Sequence, residues 1–251
     1  MSAARCDDDL VAALLAARAA HQPLASAAWA HTLADAPSAY AVQDAVADAL
    51  EWFAGTAAGH WKSGGPSQSS VLTHALLPPA GVFASGASLA AWPLHQRFIE
   101  GEIALRLGTG VTPAQAAALK HDGVDGLIEA MAVSIEGVDS RWLEAGRAPA
   151  LLRLADQQSH GALVLGDWLP YARRDWATQA CTACIGSQPV VQRTGSHGLS
   201  DPAWESGWQK ASKLNVRKPV QRGAAEKPIV AAMVARSLNN RVVRAARRAD
   251  H

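Results

Sequence analysis

Two glutamates, Glu100 and Glu102, are the first candidates for chemistry in this sequence. They lie in the run 98–107, where Glu100, Glu102, Ala104 and Arg106 alternate with Ile99, Gly101, Ile103 and Leu105. That alternation predicts a β-strand, and side chains at positions i and i+2 of a strand project from the same face. Two carboxylates this close repel each other unless a cation lies between them. The spacing alone allows either a solvated strand face or a cation site.

A third carboxylate favours the cation site. Glu136 follows the apolar run 131–135, and an acidic side chain that ends an apolar strand is costly without a partner. Three carboxylates without cysteine or histidine neighbours select a hard cation, so we expect Mg²⁺ or Mn²⁺ with positions left for water and substrate. Asp139 and Arg141 follow, and we expect them to orient the ligating carboxylates rather than to react.

The three cysteines predict no disulfide framework. Cys6 stands apart, and Cys181 and Cys184 form a lone CxxC whose flanks read as strand. An odd, small count fits a reducing compartment. Residues three apart in a strand point to opposite faces, so we expect two ordinary, partly buried thiols there rather than a redox or zinc site.

The elements that must position these residues are two N-terminal helices and a series of short strands. This order favours an α+β fold over a doubly wound sheet. We predict helices over 7–20 and 37–53 (with Asp35 as N-cap), a helix starting at Thr112, and loops with short strands over 60–90. Strands are predicted over 98–107, 129–138, 163–165 and 176–191, with a helical start to 129–138 as the alternative.

Composition excludes several classes of protein. The chain has 251 residues, of which 49% are hydrophobic and 18% charged, with a formal net charge of +1. That balance argues against a strongly basic nucleic-acid binder, and no run approaches the ~18 apolar residues of a membrane span. Asp7, Asp8 and Asp9 replace the positive start of a secretory signal. We therefore expect a cytoplasmic protein with no membrane or nucleic-acid partner.

The charge is unevenly distributed along the chain. Residues 205–251 hold 11 Lys and Arg against 3 Asp and Glu, whereas the preceding 204 residues hold 12 against 19. The last segment is therefore compositionally distinct, and its apolar spacing predicts a basic helix over 229–248. A docked, solvated helix is the favoured interpretation. Contact with an anionic surface, or a change of reading frame in the gene, are the alternatives.

Five motifs in order carry a family resemblance. They read AYAVQ (39–43), WKSG (61–64), EGEIALRLG (100–108), SIEGVDSR (134–141) and ADQQSHGALVLG (155–166). Together they resemble the fumarylacetoacetate hydrolase superfamily, and within it the branch of 2-keto-4-pentenoate hydratases and related 2-oxo-acid decarboxylases.

The resemblance implies a mixed β-roll, like the C-terminal domain of fumarylacetoacetate hydrolase, with a small helical N-terminal region. The expected divisions are 1–57 (helical region), 58–204 (β-roll, metal-binding and catalytic) and 205–251 (divergent basic tail). The site residues that the resemblance implies are Glu100, Glu102 and Glu136 as metal ligands, Lys62 as the lysine near the substrate, and Asp156 and Ser159 on the loop that lines the pocket.

The implied function is that of a lyase: a hydratase, dependent on Mg²⁺ or Mn²⁺, that adds water to a 2-hydroxydienoate or 2-oxo-alkenoate such as 2-keto-4-pentenoate, in the catabolism of aromatic compounds. The alternatives are a 2-oxo-acid decarboxylase, a C–C hydrolase, or a catalytically impaired paralogue. The expected partners are a small 2-oxo acid, further copies of the chain in a homo-oligomer and, as an option, a decarboxylase subunit.

The sequence departs from the family pattern near the proposed pocket. The family loop has Asn where this chain has Gln157, and Ser85 stands where many relatives carry an acidic residue. A proposed acid/base partner is therefore absent, and His95 and His160 are the candidate substitutes.

Overall fold

The computed structural model of the chain describes residues 3–54, 58–65, 67–110, 118, 124–186, 188–195, 199–203 and 229–232. Its helices are α1 (Ala3–Ala20), α2 (Ala36–Ala49) and α3 (Ala150–Ala155). Its strands are β1 (His60–Gly64), β2 (Thr73–Leu76), β3 (Val82–Ala84), β4 (Phe98–Leu107), β5 (Ile128–Val138), β6 (His160–Leu165), β7 (Leu169–Pro170), β8 (Ala180–Ile185), β9 (Gln188–Thr194) and β10 (Ile229–Ala232).

The two predicted N-terminal helices form. Asp35 caps α2, because its carboxylate accepts a hydrogen bond from the Ser38 backbone N–H while the Ser38 hydroxyl accepts one from the Asp35 N–H. The helix ends at Ala49, four residues before the predicted end, and Glu51 just beyond it has a positive φ of 50°. Among the helices that the structure describes, none is long and apolar enough to cross a membrane.

The helices share one buried apolar cluster that anchors them beside the sheet. Trp142 belongs to it and is fully buried, and its indole N–H donates to the carbonyl of Leu152 at 2.9 Å. The other buried members come from α1, α2, α3 and the adjoining loops: Leu10, Leu14, Leu33, Ala39, Val42, Val46, Ala148, Leu152, Leu154 and Ala155.

The main sheet runs in the order β2-β1-β10-β4-β5-β6-β3, with β7 paired to the far end of β5. The pairs β1/β10 and β3/β6 are parallel and the others antiparallel, so the sheet is mixed. An α+β protein with few helices and a mixed sheet is thereby confirmed, whereas the finer description as a roll stays a prediction. A separate hairpin is formed by β8 and β9.

The predicted basic helix is wrong over residues 229–232. These residues form β10, which pairs in parallel with β1 and antiparallel with β4. Hydrogen bonding to a strand on either side outweighs the helical spacing of the apolar residues, as tertiary context commonly does. The rest of the tail helix, residues 233–248, and the helix start at Thr112 lie outside the described residues.

The prediction of partly buried cysteines is also wrong. Cys181 and Cys184 are both exposed free thiols on β8. The hairpin that carries them is separate from the main sheet, which leaves the cysteines in contact with solvent. The strand predicted over 176–191 begins later, at Ala180, after a turn that includes the buried Trp176.

Gly161 on β6 is predicted to be intolerant of a side chain. A Cβ there would lie 2.6 Å from the Gly137 carbonyl oxygen and 2.7 Å from the Asp139 Cβ. Overpacking of this kind costs about 1–3 kcal/mol. We expect Gly161→Ala to lower the melting temperature by about 2–4 °C per kcal/mol lost. The matched control is Gly146→Ala, whose Cβ would meet nothing within 4 Å. Equal melting temperatures for the two variants would contradict the packing.

Candidate metal centre

The register of β4 and β5 places the three predicted carboxylates on one face of the sheet. Glu100 lies directly opposite Glu136, and Glu102 lies opposite Ser134, two residues before Glu136. One carboxylate oxygen from each glutamate lies within 4.8 Å of the other two. Glu102 and Glu136 are 3% and 1% exposed, whereas Glu100 is half-buried. The structure thus brings together the three acidic residues selected from the sequence.

Lys62 on β1 supplies the positive charge nearest to this cluster. Its Nζ lies 2.7 Å from Oε1 and 2.5 Å from Oε2 of Glu136, and the pair is almost fully buried. Burial alone would lower the pKa of Lys62, but the three glutamates, with Glu136 foremost, raise it above its usual value. Lys62 therefore stays an ammonium and neutralises one of the three carboxylates.

His160 is the second group that holds Glu136. Its Nδ1 lies 2.8 Å from Glu136 Oε1, and because a carboxylate only accepts, Nδ1 carries the hydrogen. Burial lowers the pKa of His160 and outweighs the attraction of Glu136, so the ring is neutral. Its Nε2 is buried and has no hydrogen-bond partner among the residues that the structure describes.

The two partners of Glu136 also set its ionisation. Burial alone would raise the pKa of this carboxyl, but the charge of Lys62 and the hydrogen bond from His160 hold it below its usual value. Lys62 and His160 together use both acceptor sites of Oε1 and one of Oε2, so a site on Oε2 remains for a further ligand.

Glu102 has the opposite environment. Burial and the neighbouring charge of Glu136 raise its pKa well above the usual value, although Lys62 opposes the shift. Its Oε1 is buried, with no hydrogen-bond partner among the described residues. A carboxylate in this position is stabilised either by a proton or by a bound cation.

The donor set fits a hard divalent cation. Oxygens on opposite sides of such an ion are separated by twice the metal–oxygen distance, which is about 4.2 Å for Mg²⁺ and about 4.8 Å for Ca²⁺. The three carboxylate oxygens all lie within 4.8 Å of one another, so they are close enough together to share one ion. Oxygen-only ligands are those that Mg²⁺, Mn²⁺ and Ca²⁺ prefer.

A strained loop carries the residues next to the cluster. Gln157, Gln158 and Ser159 have consecutive positive φ angles of 45°, 52° and 61°, a conformation that side chains disfavour. Hydrogen bonds fix it: the Gln157 amide donates to the Gln43 carbonyl at 3.2 Å, and the Gln158 amide to the Thr73 hydroxyl at 2.6 Å. The loop then leads directly into His160.

Asp156 and Arg141 anchor the start of this loop. Asp156 is fully buried, and its carboxylate accepts hydrogen bonds from the Arg141 backbone N–H at 2.8 Å, from Arg141 Nε and from Arg18 Nη2 at 3.0 Å. Ser159, also buried, donates its backbone N–H to the Asp156 carbonyl. The contacts described for Asp156 are therefore with arginines and backbone groups of the loop rather than with the three glutamates.

Asp139 supports a neighbouring segment. Its Oδ1 accepts the backbone N–H groups of His95 and Gln96 at 2.7 and 2.6 Å, and its Oδ2 lies 3.8 Å from Arg141. The hydrogen bonds described for the Glu136 carboxylate come from Lys62 and His160, and the orienting role expected of Asp139 and Arg141 stays a prediction. The side chains of His95 and Ser85 are exposed.

Helix α2 ties the helical region to the site. The Tyr40 hydroxyl lies 3.1 Å from His74 Nδ1 and accepts the His74 backbone N–H at 3.2 Å. The Gln43 amide donates to the carbonyls of Leu154 and His74. Tyr40 and Gln43 thus hold β2, which pairs with the strand of Lys62, and α3, which directly precedes the strained loop.

A cavity of about 220 Å³ borders His160. His160 and Arg141 line it, as do Trp52 of the helical region and Trp92. The three glutamates are not among its lining residues, whereas His160 both lines the cavity and contacts Glu136.

Sequence reasoning missed Ser134 at this site. It is 1% exposed and lies on the same face as Glu102 and Glu136. The available signal was its spacing, two residues before Glu136 on a predicted strand, but the facing partner depends on strand register.

Comparison with known structures shows a shared fold. The chain is similar to 4-oxalocrotonate decarboxylase from Pseudomonas putida G7 complexed with calcium and acetate, with 15% identity, a TM-score of 0.68, and coverage of 93% of this chain and 88% of that chain. The same enzyme complexed with magnesium and adipate is 17% identical, with a TM-score of 0.68 and coverage of 93% of this chain and 89% of that chain. No protein-family model and no curated protein sequence matches the chain. The resemblance inferred from the motifs is thereby confirmed at the level of the fold.

Removing the charge of Glu102 is predicted to stabilise the metal-free protein. Because the folded-state pKa of Glu102 lies above the unfolded value near 4.5, stability is lost as pH rises above 4.5. In a chelating buffer at pH 7, Glu102→Gln should therefore melt higher than wild type, by about 2–4 °C for each kcal/mol gained. The difference should vanish below pH 4.5.

The same variant should lose its response to metal. Adding Mg²⁺ should raise the melting temperature of wild type but not of Glu102→Gln, because binding to the folded state alone stabilises it. The control is Glu129→Gln. Glu129 lies near the start of β5, where its carboxylate pairs with Arg106 of β4 at 2.7 Å. This variant should respond to Mg²⁺ like wild type. A Glu102→Gln protein with an unchanged Mg²⁺ response would refute the site.

Proposed function

We propose that this chain is a divalent-metal-dependent enzyme of the fumarylacetoacetate hydrolase superfamily that acts on a small unsaturated 2-oxo acid. The observation that carries the proposal is the convergence of Glu100, Glu102 and Glu136 within 4.8 Å on one face of the sheet, where Glu102 and Glu136 are buried. The fold shared with a decarboxylase complexed with calcium or magnesium supports it.

The three glutamates would hold Mg²⁺ or Mn²⁺. When bound, such an ion would supply Lewis-acid chemistry that stabilises the negative charge developing on a 2-oxo acid. Glu136 enters this arrangement already oriented by Lys62 and His160, and Glu102 offers the buried Oε1 that has no partner among the described residues.

Lys62 is the proposed proton-handling and charge-neutralising residue. Its Nζ faces Glu136 and lies 3.5 Å from the Gln158 carbonyl, at the junction of the carboxylates and the strained loop. From that position it neutralises a substrate carboxylate or moves a proton next to the keto group. Asp156 and Ser159 then serve by fixing the loop that lines the substrate.

Two reactions share this arrangement. The motif resemblance favours hydration, in which water adds to the far carbon of the conjugated ketone. The structural similarity to 4-oxalocrotonate decarboxylase favours decarboxylation, in which negative charge would develop next to the same keto group as CO₂ leaves. We propose hydration as the first candidate and decarboxylation as the second. A homo-oligomer and a cytoplasmic location stay predictions.

The deciding experiment incubates the purified chain and Mg²⁺ with each substrate separately. Hydration of 2-hydroxypenta-2,4-dienoate is followed by loss of the diene absorbance, and decarboxylation of 4-oxalocrotonate by release of CO₂. Glu102→Gln should abolish either activity and Glu129→Gln should retain it. Turnover of neither substrate, with Mg²⁺ binding intact, would favour the catalytically impaired alternative and overturn the proposed reaction.

Replacing Lys62 should separate stability from turnover. Lys62→Met leaves Glu136 as a buried carboxylate without its cation, which costs about 3–5 kcal/mol, so the metal-free variant should melt well below wild type. At saturating Mg²⁺ the value of kcat should fall by about 10²–10⁴-fold.

The control is Lys62→Arg, which keeps the charge but not the compact ammonium. It should recover most of the melting temperature and little of the turnover. If Lys62→Met retained full kcat once saturated with Mg²⁺, the role of Lys62 in catalysis would be excluded.

A further inference from the structure

Ser134 has a buried hydroxyl that the proposed chemistry does not use. The residue is 1% exposed, and its Oγ has no hydrogen-bond partner among the described residues. Buried polar side-chain atoms in proteins are nearly always paired, so an unpaired hydroxyl on the central part of a strand requires an explanation.

The strand pairing places Ser134 beside the carboxylate cluster. Ser134 pairs with Glu102 on β4 and with Leu165 on β6, and it is two residues before Glu136 on β5. Its side chain therefore shares a face with Glu102 and Glu136. Glu102 Oε1 is also unpaired, so a hydrogen-bond donor and an acceptor lie on neighbouring strands without bonding to each other.

A purely structural role explains Ser134 poorly. Strands flank it on both sides, and an apolar residue would fill the position without leaving a buried hydroxyl unsatisfied. Ser63 on β1 is a contrasting case, because it is also buried but its hydroxyl donates to the Thr73 carbonyl at 3.4 Å. Of these two buried serines, the one that shares a face with Glu102 and Glu136 is therefore the one whose hydroxyl is unpaired among the described residues.

We propose that Ser134 is a ligand-contacting, specificity-determining residue, whose hydroxyl donates a hydrogen bond to an oxygen of the small molecule bound at the three-glutamate site. This inference rests on the proposed function and deepens it. A hydroxyl beside the ion favours ligands that present two adjacent oxygens, as a 2-oxo acid or its enolate does, over ligands with a single carboxylate. Ser134 thereby selects the chelating 2-oxo acid class.

Oxalate, a two-oxygen chelator that resembles the enolate of a 2-oxo acid, is the probe for this contact. Its affinity for the full chain at saturating Mg²⁺ is measured by calorimetry, with acetate as the single-carboxylate comparison. We expect Ser134→Ala to bind oxalate about tenfold more weakly, the loss typical of one hydrogen bond to a charged oxygen. Acetate affinity should change much less.

Three further measurements separate ligand contact from structural support. Mg²⁺ affinity without oxalate should stay within about threefold of wild type, because the three carboxylates are intact. The metal-free Ser134→Ala protein should melt no lower than wild type, since an unsatisfied hydroxyl is removed. Ser134→Thr, which restores a hydroxyl, should recover oxalate binding. Ser63→Ala is the matched control and should bind oxalate as wild type does.

The outcomes distinguish this inference from the function on which it rests. If wild type binds Mg²⁺ and oxalate and Ser134→Ala binds oxalate equally well, the role of Ser134 is overturned while the metal site stands. The same conclusion holds if Ser134→Ala weakens oxalate and acetate equally, or if it loses stability without Thr rescue. If wild type binds neither Mg²⁺ nor oxalate, both proposals fail.

Discussion

Burial of several carboxylates on one sheet face is the constraint on which this site depends. Glu100, Glu102 and Glu136 carry three formal negative charges, and Lys62 returns one positive charge. The remaining excess of two is costly where water is excluded, because a buried charge needs a partner. A proton on Glu102 removes part of it, whereas a divalent cation removes all of it. The electrostatics therefore favour a hard divalent cation, whose preference for oxygen ligands the three carboxylates match.

The scaffold around the cluster maintains this arrangement at a conformational cost. Three successive residues, Gln157, Gln158 and Ser159, adopt positive φ angles that cost on the order of 1–3 kcal/mol each. That backbone is held by the hydrogen bonds of Asp156 with Arg141 and Arg18, and by the hydrogen bonds that the side-chain amides of Gln157 and Gln158 donate. Rigidity at this point fixes His160 against Glu136, which a mobile loop would not do.

The local part of the structure followed from the sequence, and the non-local part did not. Period-two alternation placed β4 with its observed bounds and put Glu100 and Glu102 on one face. It could not state which residue faces which, so the Glu102–Ser134 pair had no local signal. The position of Lys62 near the site came from family resemblance alone, because a lysine in a glycine-rich segment has no distinctive spacing of its own.

A prediction from hydropathy alone would bury the wrong face of β5. Val133 and Ile135 are 66% and 46% exposed, while Glu136 is 1% exposed. The ordinary rule that apolar side chains face the interior is inverted here. Burial of the acidic face follows from compensation by Lys62 and His160, which no property of β5 itself encodes.

The position of β10 has a consequence for biosynthesis. This strand comes from residues 229–232, yet it separates β1, which carries Lys62, from β4, which carries Glu100 and Glu102. A ribosome delivers segments in chain order, so β1 and β4 emerge long before the strand that belongs between them. Until then both have an unpaired edge, and direct pairing between them would be a misfolded competitor. Assembly of the site is therefore a late event in the life of the nascent chain, one that a chaperone protecting those two edges would assist.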